Sequence, residues 1–299
     1  MSNGRSRSEA LAQPSKVGAF IALTKPDVSF LVLITTGAGF YMGIRGPIPW
    51  LHMIHVIFGT MLIAAGTAAL NHYIERESDR HMRRTATRPL PTGLLTPTEA
   101  LVFGVALCIA GAVDLYFVAG WLPCALGVLT SLSYLLAYTP LKKRTIWATF
   151  VGAFPGAIPP MIGWTAATGK LDAGAWLLFA ILFIWQFPHF HAISWMYRED
   201  YARAGILMLP VVDKDGTRTF RQIILYASAL IAVSLLPSIL GFTGILYFFG
   251  ALVTCTASLQ VCLWAASSKT NTRAKWLMHA TVLHIPILLG LMVYDKLPR

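Results

Sequence analysis

The sequence has little charge and little cysteine. Only 12% of its 299 residues are Asp, Glu, Lys or Arg, about half the share found in a soluble globular domain. The four cysteines lie inside apolar stretches without CxxC spacing, which argues against a zinc site or a disulfide framework and indicates small packing residues. The N-terminus also lacks the short apolar core and cleavage site of a signal peptide.

Apolar residues make up 56% of the chain and come in blocks of roughly twenty, the length at which an α-helix crosses about 30 Å of hydrocarbon. The pattern predicts an all-α, polytopic membrane protein with about nine transmembrane helices. Because the loop spacing repeats, we expect two halves of four helices each and one further helix. Residues 1–24 are predicted to be a polar, basic, disordered tail, and residues 25–299 a single transmembrane domain. The predicted spans are 28–45, 52–70, 98–118, 120–138, 146–165, 174–195, 222–241, 245–266 and 276–294.

Basic residues predict the orientation of the chain. If the N-terminus lies in the cytosol, all but four of the 24 Lys and Arg residues fall on the cytosolic side, in agreement with the positive-inside rule. The C-terminus is then on the opposite side. Because topology accounts for much of the net charge of +11, the basic excess does not indicate a nucleic-acid partner. The four exceptions are Arg45, Lys170, Lys296 and Arg299.

The densest charge follows the second predicted span, in NHYIERESDRHMRRTATRPLPTG, residues 71–93. Asn71, Glu75 and Asp79 are spaced i, i+4, i+8 and therefore share one face of a helix. Such a row of oxygen ligands suits Mg²⁺, which binds through one or two carboxylates plus substrate phosphates. A simpler interpretation is a solvated helix with i,i+4 salt bridges whose arginines touch anionic lipid. Guanidinium groups that match phosphate oxygens surround the row: Arg76, Arg80, Arg83, Arg84 and Arg88.

A second charged segment, WQFPHFHAISWMYREDYARAGILMLPVV (185–212), follows the sixth predicted span. Its acids can hold a second Mg²⁺ or the arginines of the first segment. Its aromatic side chains can line a prenyl slot and stabilise an allylic cation, and its histidines can bind metal, haem or backbone groups. The alternative is an interfacial aromatic belt with hydrogen-bonded histidines. The polar candidates are His189, His191, Glu199 and Asp200.

Four segments in order resemble the UbiA-type intramembrane prenyltransferases, and the resemblance covers almost the whole chain from about residue 20. They are LTKPDVSFLVLITTGAGF (23–40), NHYIERESDRHMRRTATRPLP (71–91), YTPLKKRTIWATFVGAFPGAIPPMIGW (138–164) and the segment 185–212. The resemblance implies an all-α bundle of nine helices around a central, laterally open cavity. It is closest to the haem-modifying branch, which implies transfer of the farnesyl group of farnesyl diphosphate to a vinyl group of protoheme IX, with addition of water, to give heme O.

The resemblance also implies roles for individual residues. Asn71, Glu75 and Asp79 match the first acidic motif, which binds Mg²⁺ and diphosphate. Where most members of the family carry a second DxxxD motif, this chain has the two histidines and two acids of 185–212, which favours haem as acceptor. The predicted catalytic residues are Asn71, Glu75, Asp79, His189 and His191, with one histidine handling water. The predicted substrate-binding residues are Lys25, Arg76, Arg83, Arg84, Arg88, Lys142, Lys143, Arg144, Glu199, Asp200 and Tyr201.

Other functions stay open at this point. A member of the same family can prenylate an aromatic, 4-hydroxybenzoate-like acceptor. A transporter would also use repeats and intramembrane acids, and a haem-binding subunit would use the histidines alone. For the haem-modifying enzyme we expect the lipid bilayer of a bacterial inner membrane as its location, with heme A synthase or terminal oxidase assembly as possible partners.

Overall fold

The computed structural model describes residues 15–298. Within that range the chain is built of helices, as predicted, and the one extended pairing is an isolated antiparallel bridge between Thr243 and Lys296. The helices are α1 (Lys16–Leu23), α2 (Pro26–Gly43), α3 (Trp50–Arg80), α4 (Pro97–Ala119), α5 (Trp121–Leu132), which continues through a π-helical turn (Ser133–Tyr138) into α6 (Thr139–Leu141), then α7 (Ala148–Ala157), α8 (Pro159–Thr168), α9 (Ala173–Met196), α10 (Arg198–Arg203), α11 (Leu209–Val212), α12 (Thr217–Ile239), α13 (Ile245–Ser268) and α14 (Asn271–Tyr294).

The number of spans is lower than predicted. Seven helical segments of the described chain are long and apolar enough to cross a membrane, and an eighth forms if α1 and α2, bent by 45°, are one span. The prediction of about nine is therefore slightly too high. The predicted span 146–165 is divided into α7 and α8, of ten residues each, because Pro159 and Pro160 have no backbone N–H to continue the hydrogen-bond ladder.

The predicted tail also differs. Residues 1–14 lie outside the described residues, but Lys16–Leu23 form α1 rather than an irregular segment. The Ser15 hydroxyl accepts a hydrogen bond from the Gly18 amide and caps this helix. Leu23 is buried in a small apolar cluster with Leu90 and Leu95 of the loop after α3, and this packing orders a segment whose composition indicates disorder.

Close backbone contacts hold the central helices together. A Cβ atom added at Gly163 of α8 would collide with the Thr36 carbonyl of α2, and one added at Gly39 would collide with Pro160. Small residues at helix crossings allow the approach on which membrane helix packing depends. The main apolar cluster extends from α2 to α14 and includes residues of α3, α8 and α9.

The bundle has two distinct ends. At the charged end, defined by Lys25, the end of α3 at Arg80 and the end of α9 at Met196, the long charged loops leave the bundle. At the opposite end, Lys296 Nζ donates to the carbonyls of Tyr41 and Ile44, 2.6 Å each, and joins the segment after α14 to the end of α2. The predicted site residues belong to the charged end.

Candidate active site

The last three turns of α3 carry the predicted acidic row, and each member meets a cation from a different segment. Lys25 Nζ, between α1 and α2, donates to Asn71 Oδ1 at 3.0 Å. Lys142 Nζ, after α6, lies 2.8 Å from Glu75 Oε1. Arg88, in the loop after α3, completes the set 2.7 Å from Asp79 Oδ2. The structure therefore brings together three predicted oxygen ligands and three predicted substrate-binding cations.

The central pair, Lys142 and Glu75, is mostly buried, with 12% of each side chain exposed. The π-helical turn presents two tyrosine rings to the same ammonium: Nζ lies 4.5 Å from the centroid of Tyr138 and 5.9 Å from that of Tyr134. Burial alone would lower the pKa of Lys142, but Tyr138 and Glu75 outweigh it and raise that pKa well above its usual range. Lys142 is therefore a fixed positive charge beside the acidic row. π-Helical turns are often found at functional sites.

Lys25 reaches the row from a strained backbone. Its φ of 48° and ψ of 67° lie in the left-handed region, which costs an L-residue with a Cβ about 1–2 kcal/mol. The turn separates α1 from α2 and aims the Lys25 side chain at Asn71, whose Nδ2 donates to Thr139 Oγ1 at 3.4 Å. Strain of this kind clusters at ligand-binding sites.

Asp79 has one oxygen without a partner. Its side chain is 1% exposed, Oδ2 is bound to Arg88, and Oδ1 makes no hydrogen bond. An unpaired oxygen of a buried carboxylate is costly, so Oδ1 is free to bind a donor or a cation. The described residues contain no group of three or more His, Cys, Asp or Glu side chains that could hold a metal alone. These donors fit Mg²⁺, which needs only one or two carboxylates if substrate phosphates complete its shell.

The other predicted basic residues are arranged less uniformly. Arg76 turns back along its own helix, where it donates to the Tyr73 carbonyl at 2.7 Å. The Arg84 guanidinium lies 4.8 Å from the ring centroid of Tyr197. Like Arg84, the predicted cations Arg83, Lys143 and Arg144 are exposed at the charged end.

The second charged loop packs on the first. The Arg84 amide donates to Asp200 Oδ2 at 3.3 Å, and Asp200 also pairs with Arg203. Tyr201 packs against an apolar cluster of Met82, Ile206 and Met208. A cavity of about 290 Å³ lies between the loops, lined by Glu77, Ser78, His81, Lys143, Arg203, Ala204 and Gly205. Glu199 is exposed. The two loops thus contact each other at one end of the bundle.

The two predicted histidines lie on α9 and are hydrogen-bonded to other helices rather than to the acidic row. His189 Nδ1 lies 2.9 Å from Thr281 Oγ1, and its ring stacks on Trp185 at 5.0 Å. His191 Nε2 lies 2.6 Å from Gln222 Oε1. The Nδ1 atom of His191 is buried and has no partner in the described chain, so it can bind a water molecule or a substrate group.

Several polar and aromatic residues near these groups have no role predicted from the sequence. His72 follows Asn71 directly, and both of its ring nitrogens are buried without a partner. Tyr134 and Tyr138, spaced i, i+4 before the basic segment, could have been identified from that spacing alone. Only tertiary contacts reveal Gln222, Thr281 and Tyr226, whose ring stacks on Phe187.

Comparison with known proteins identifies the family. The model of the UbiA prenyltransferase family matches residues 32–284. The chain is 50% identical over 286 residues to the protoheme IX farnesyltransferase of Solibacter usitatus (strain Ellin6076), covering 93% of this chain and 98% of that protein. It is 39% identical over 294 residues to the protoheme IX farnesyltransferase of Myxococcus xanthus (strain DK1622), covering 98% and 99%.

Solved structures share the fold. A structure described for digeranylgeranylglyceryl phosphate synthase superposes with a TM-score of 0.77 at 19% identity, covering 94% of this chain and 98% of that one. A UbiA homologue from Archaeoglobus fulgidus bound to GPP and Mg²⁺ superposes with a TM-score of 0.63 at 14% identity, covering 92% and 99%. At these identities the likeness establishes the fold, and it confirms the predicted all-α class.

Proposed function

The chain belongs to the UbiA prenyltransferase family and is an integral, multi-pass membrane protein; from that premise we propose that it transfers the farnesyl group of farnesyl diphosphate to a vinyl group of protoheme IX, with addition of water, giving heme O and diphosphate. Relatives named for this reaction are 50% and 39% identical to the chain over nearly its whole length, and this similarity supports protoheme IX as the acceptor. The observation that carries the chemistry is the acidic row of α3, in which each side chain is held by a cation.

The charges of this row support a diphosphate site. Lys142 and Arg88 pair with the two carboxylates, Glu75 and Asp79, so these four charges cancel. Lys25, bound to the neutral Asn71, adds at most one positive charge. A diphosphate brings more negative charge than this, and uncompensated charge in a buried site is costly. A Mg²⁺ ion held by Asp79 and Glu75 would supply the missing charge and stabilise the departing diphosphate.

Side chains of the protein also stabilise the ionisation of farnesyl diphosphate. The allylic C–O bond breaks as negative charge grows on the diphosphate, and cations already in place there stabilise it without reorganisation. We assign this role to Lys142, Lys25 and Arg88, with the exposed Arg83, Arg84, Lys143 and Arg144 attracting anionic substrates to the charged end.

Aromatic side chains form the proposed binding surface for the prenyl chain. Phe187 stacks on Tyr226 with centroids 3.9 Å apart. It also joins a row of rings on α7 and α9 that includes Phe150, Phe154 and Phe183. Ring faces stabilise a nearby cation by about 0.5–2 kcal/mol each. We propose that this row holds the farnesyl chain and shields its cation, which the haem vinyl group then attacks.

Water must be added after the carbon–carbon bond forms, and no covalent enzyme nucleophile is needed. The added water loses a proton as it becomes the hydroxyl group. We assign the binding of that water and the acceptance of its proton to His191, because its Nδ1 is buried without a partner while Nε2 is fixed by Gln222. We propose that His189, bound to Thr281, orients the acceptor. Asp200 and Tyr201 hold the second loop against the first.

We further propose that the protein lies in a bacterial inner membrane with a cytosolic N-terminus, and that its heme O supplies heme A synthase or terminal oxidase assembly. The excess of basic residues in the loops of the charged end supports this orientation.

The deciding experiment incubates purified protein in lipid with haem B, farnesyl diphosphate and Mg²⁺, and then analyses the extracted haem by chromatography and mass. We expect a heme O peak that is lost with EDTA and reduced at least a hundredfold in Asp79→Asn, because that change removes the charge beside the diphosphate. Asp27→Asn, at the exposed start of α2, is the matched control. Prenylation of a phenolic acceptor in place of haem would refute haem as the acceptor, and the proposal of a diphosphate site would still hold.

A further inference from the structure

A second cavity lies at the opposite end of the bundle and takes no part in the proposed reaction. Its volume is about 540 Å³, and it is lined by the ends of α2 and α8, the start of α9 and the segment after α14. The 18 residues of α2 separate it from Lys25, a rise of about 27 Å. The cavity therefore lies near the other surface of the membrane from the acidic row.

The cavity is lined by basic residues, although this end of the bundle has few of them. Only four Lys and Arg residues are predicted at this end, and three of them, Arg45, Lys170 and Lys296, line this one cavity. Asp172 is the single acidic residue of the lining, and its Oδ1 accepts from the Gly174 amide at 3.1 Å, where it caps α9. The lining therefore carries a net positive charge.

The three cations have different surroundings. Lys296 is fixed, because its ammonium donates to the carbonyls of Tyr41 and Ile44 at the end of α2. Burial lowers the pKa of Lys296, as expected for an ammonium group without a neighbouring anion. Arg45 and Lys170 are exposed, and neither forms an ion pair with any residue in the range 15–298.

The remaining wall is apolar and contains one unpaired donor. Met42, Ile44 and Phe242 contribute hydrophobic surface, and Trp164 packs edge-on against Phe242 with centroids 5.7 Å apart. Trp164 is 5% exposed, and its Nε1 is buried without an acceptor, which is unusual for an indole N–H in a protein interior.

We propose that this cavity is a binding site for an anionic phospholipid, with the phosphate against Arg45, Lys170 and Lys296 and the glycerol backbone against the apolar wall. The cavity volume falls in the range of small-ligand sites, about 300–1,000 Å³. Basic pockets between membrane helices on the cytoplasmic side bind acidic head groups. The same charge attraction applies here, because the helix ends place this pocket at head-group depth on the opposite side. A free anion would satisfy the cations but leave the apolar wall exposed.

Native mass spectrometry of the full-length protein in a non-ionic detergent tests the proposal, with dioleoyl phosphatidylglycerol and dioleoyl phosphatidylcholine as probes at equal concentration. We expect the anionic lipid to bind about tenfold more tightly than the zwitterionic one, and the R45Q/K170Q variant to lose that preference. R218Q/K275Q removes the same charge from exposed positions at the charged end and should retain it. Unfolding temperatures of both variants check that the fold is intact.

Three outcomes would overturn the proposal. In the first, the two lipids bind equally to the unaltered protein. In the second, R218Q/K275Q lowers the preference as much as R45Q/K170Q, which would mean diffuse surface attraction. In the third, inorganic phosphate at the lipid's concentration displaces phosphatidylglycerol, which would mean a site for a free anion. None of these outcomes depends on prenyl transfer, so they test the lipid site independently of the proposed function.

Discussion

The buried pair of Lys142 and Glu75 tests whether the acidic row binds a divalent cation. Replacing Lys142 with Met keeps the length of the side chain and removes its charge, so that Glu75 is left ionised in a site where only 12% of its side chain is exposed. If Mg²⁺ binds this row, it can take the place of the missing ammonium. The Lys142→Met variant should therefore be unstable without Mg²⁺ and recover when Mg²⁺ is added.

The size of the effect follows from the geometry. Two unit charges 2.8 Å apart attract by about 6 kcal/mol at an effective dielectric constant of 20. Removing one partner of a buried pair costs about 3–5 kcal/mol, because the other charge stays desolvated. Taking the lower limit for a pair with some exposure, the unfolding temperature should fall by roughly 6–12 °C, at about 2–4 °C per kcal/mol, the factor for somewhat shorter chains of about 150–250 residues.

Three further variants separate charge from shape. Glu75→Gln should lose less stability than Lys142→Met, since the lysine keeps two tyrosine rings as neighbours. The double variant, with neither charge, should be more stable than Lys142→Met alone. Lys143→Met, an adjacent exposed lysine, is the matched control and should be close to the unaltered protein.

The assay is thermal unfolding in detergent, with EDTA or millimolar Mg²⁺. The expected result is recovery of most of the lost stability by Mg²⁺ in Lys142→Met and no recovery in the double variant, which lacks the Glu75 carboxylate. Equal responses to Mg²⁺ in all four variants would refute the assignment of Glu75 to the metal. Full stability of Lys142→Met in EDTA would instead refute the claim that the pair is desolvated.

Two predictions concern other parts of the molecule. Gly163→Ala should lower the unfolding temperature by several degrees, because its methyl group would collide with the Thr36 carbonyl, whereas Gly290→Ala, with open space around it, should be neutral or slightly stabilising. Lys25→Asn should raise KM for farnesyl diphosphate about tenfold or more in the heme O assay, since asparagine tolerates the left-handed backbone but loses the amine that donates to Asn71; an unchanged KM would exclude Lys25 from the diphosphate site.

Sequence patterns were sufficient for the helices and for some of their boundaries. Apolar blocks identified the long spans. At the start of α4, Thr96 and Glu99 form a capping box in which each satisfies the other's backbone, and the T-x-x-E pattern of such a box is a local property of the sequence. The count of nine was too high because hydropathy does not register the loss of backbone hydrogen bonding at Pro159. The prediction of a disordered tail was wrong for Lys16–Leu23, because order there comes from long-range packing of Leu23.

The sequence by itself determined the membrane class, the family resemblance and the acidic row of α3, because hydrophobic length and the i, i+4, i+8 spacing are local properties of the chain. The tertiary structure decided which cation faces which oxygen. Lys25 and Lys142 lie 46 and 67 positions from their partners Asn71 and Glu75, and no periodicity links residues so far apart. It also gathered three isolated cations around one cavity at the opposite end, because charge in a folded chain is arranged by helix packing rather than by sequence order.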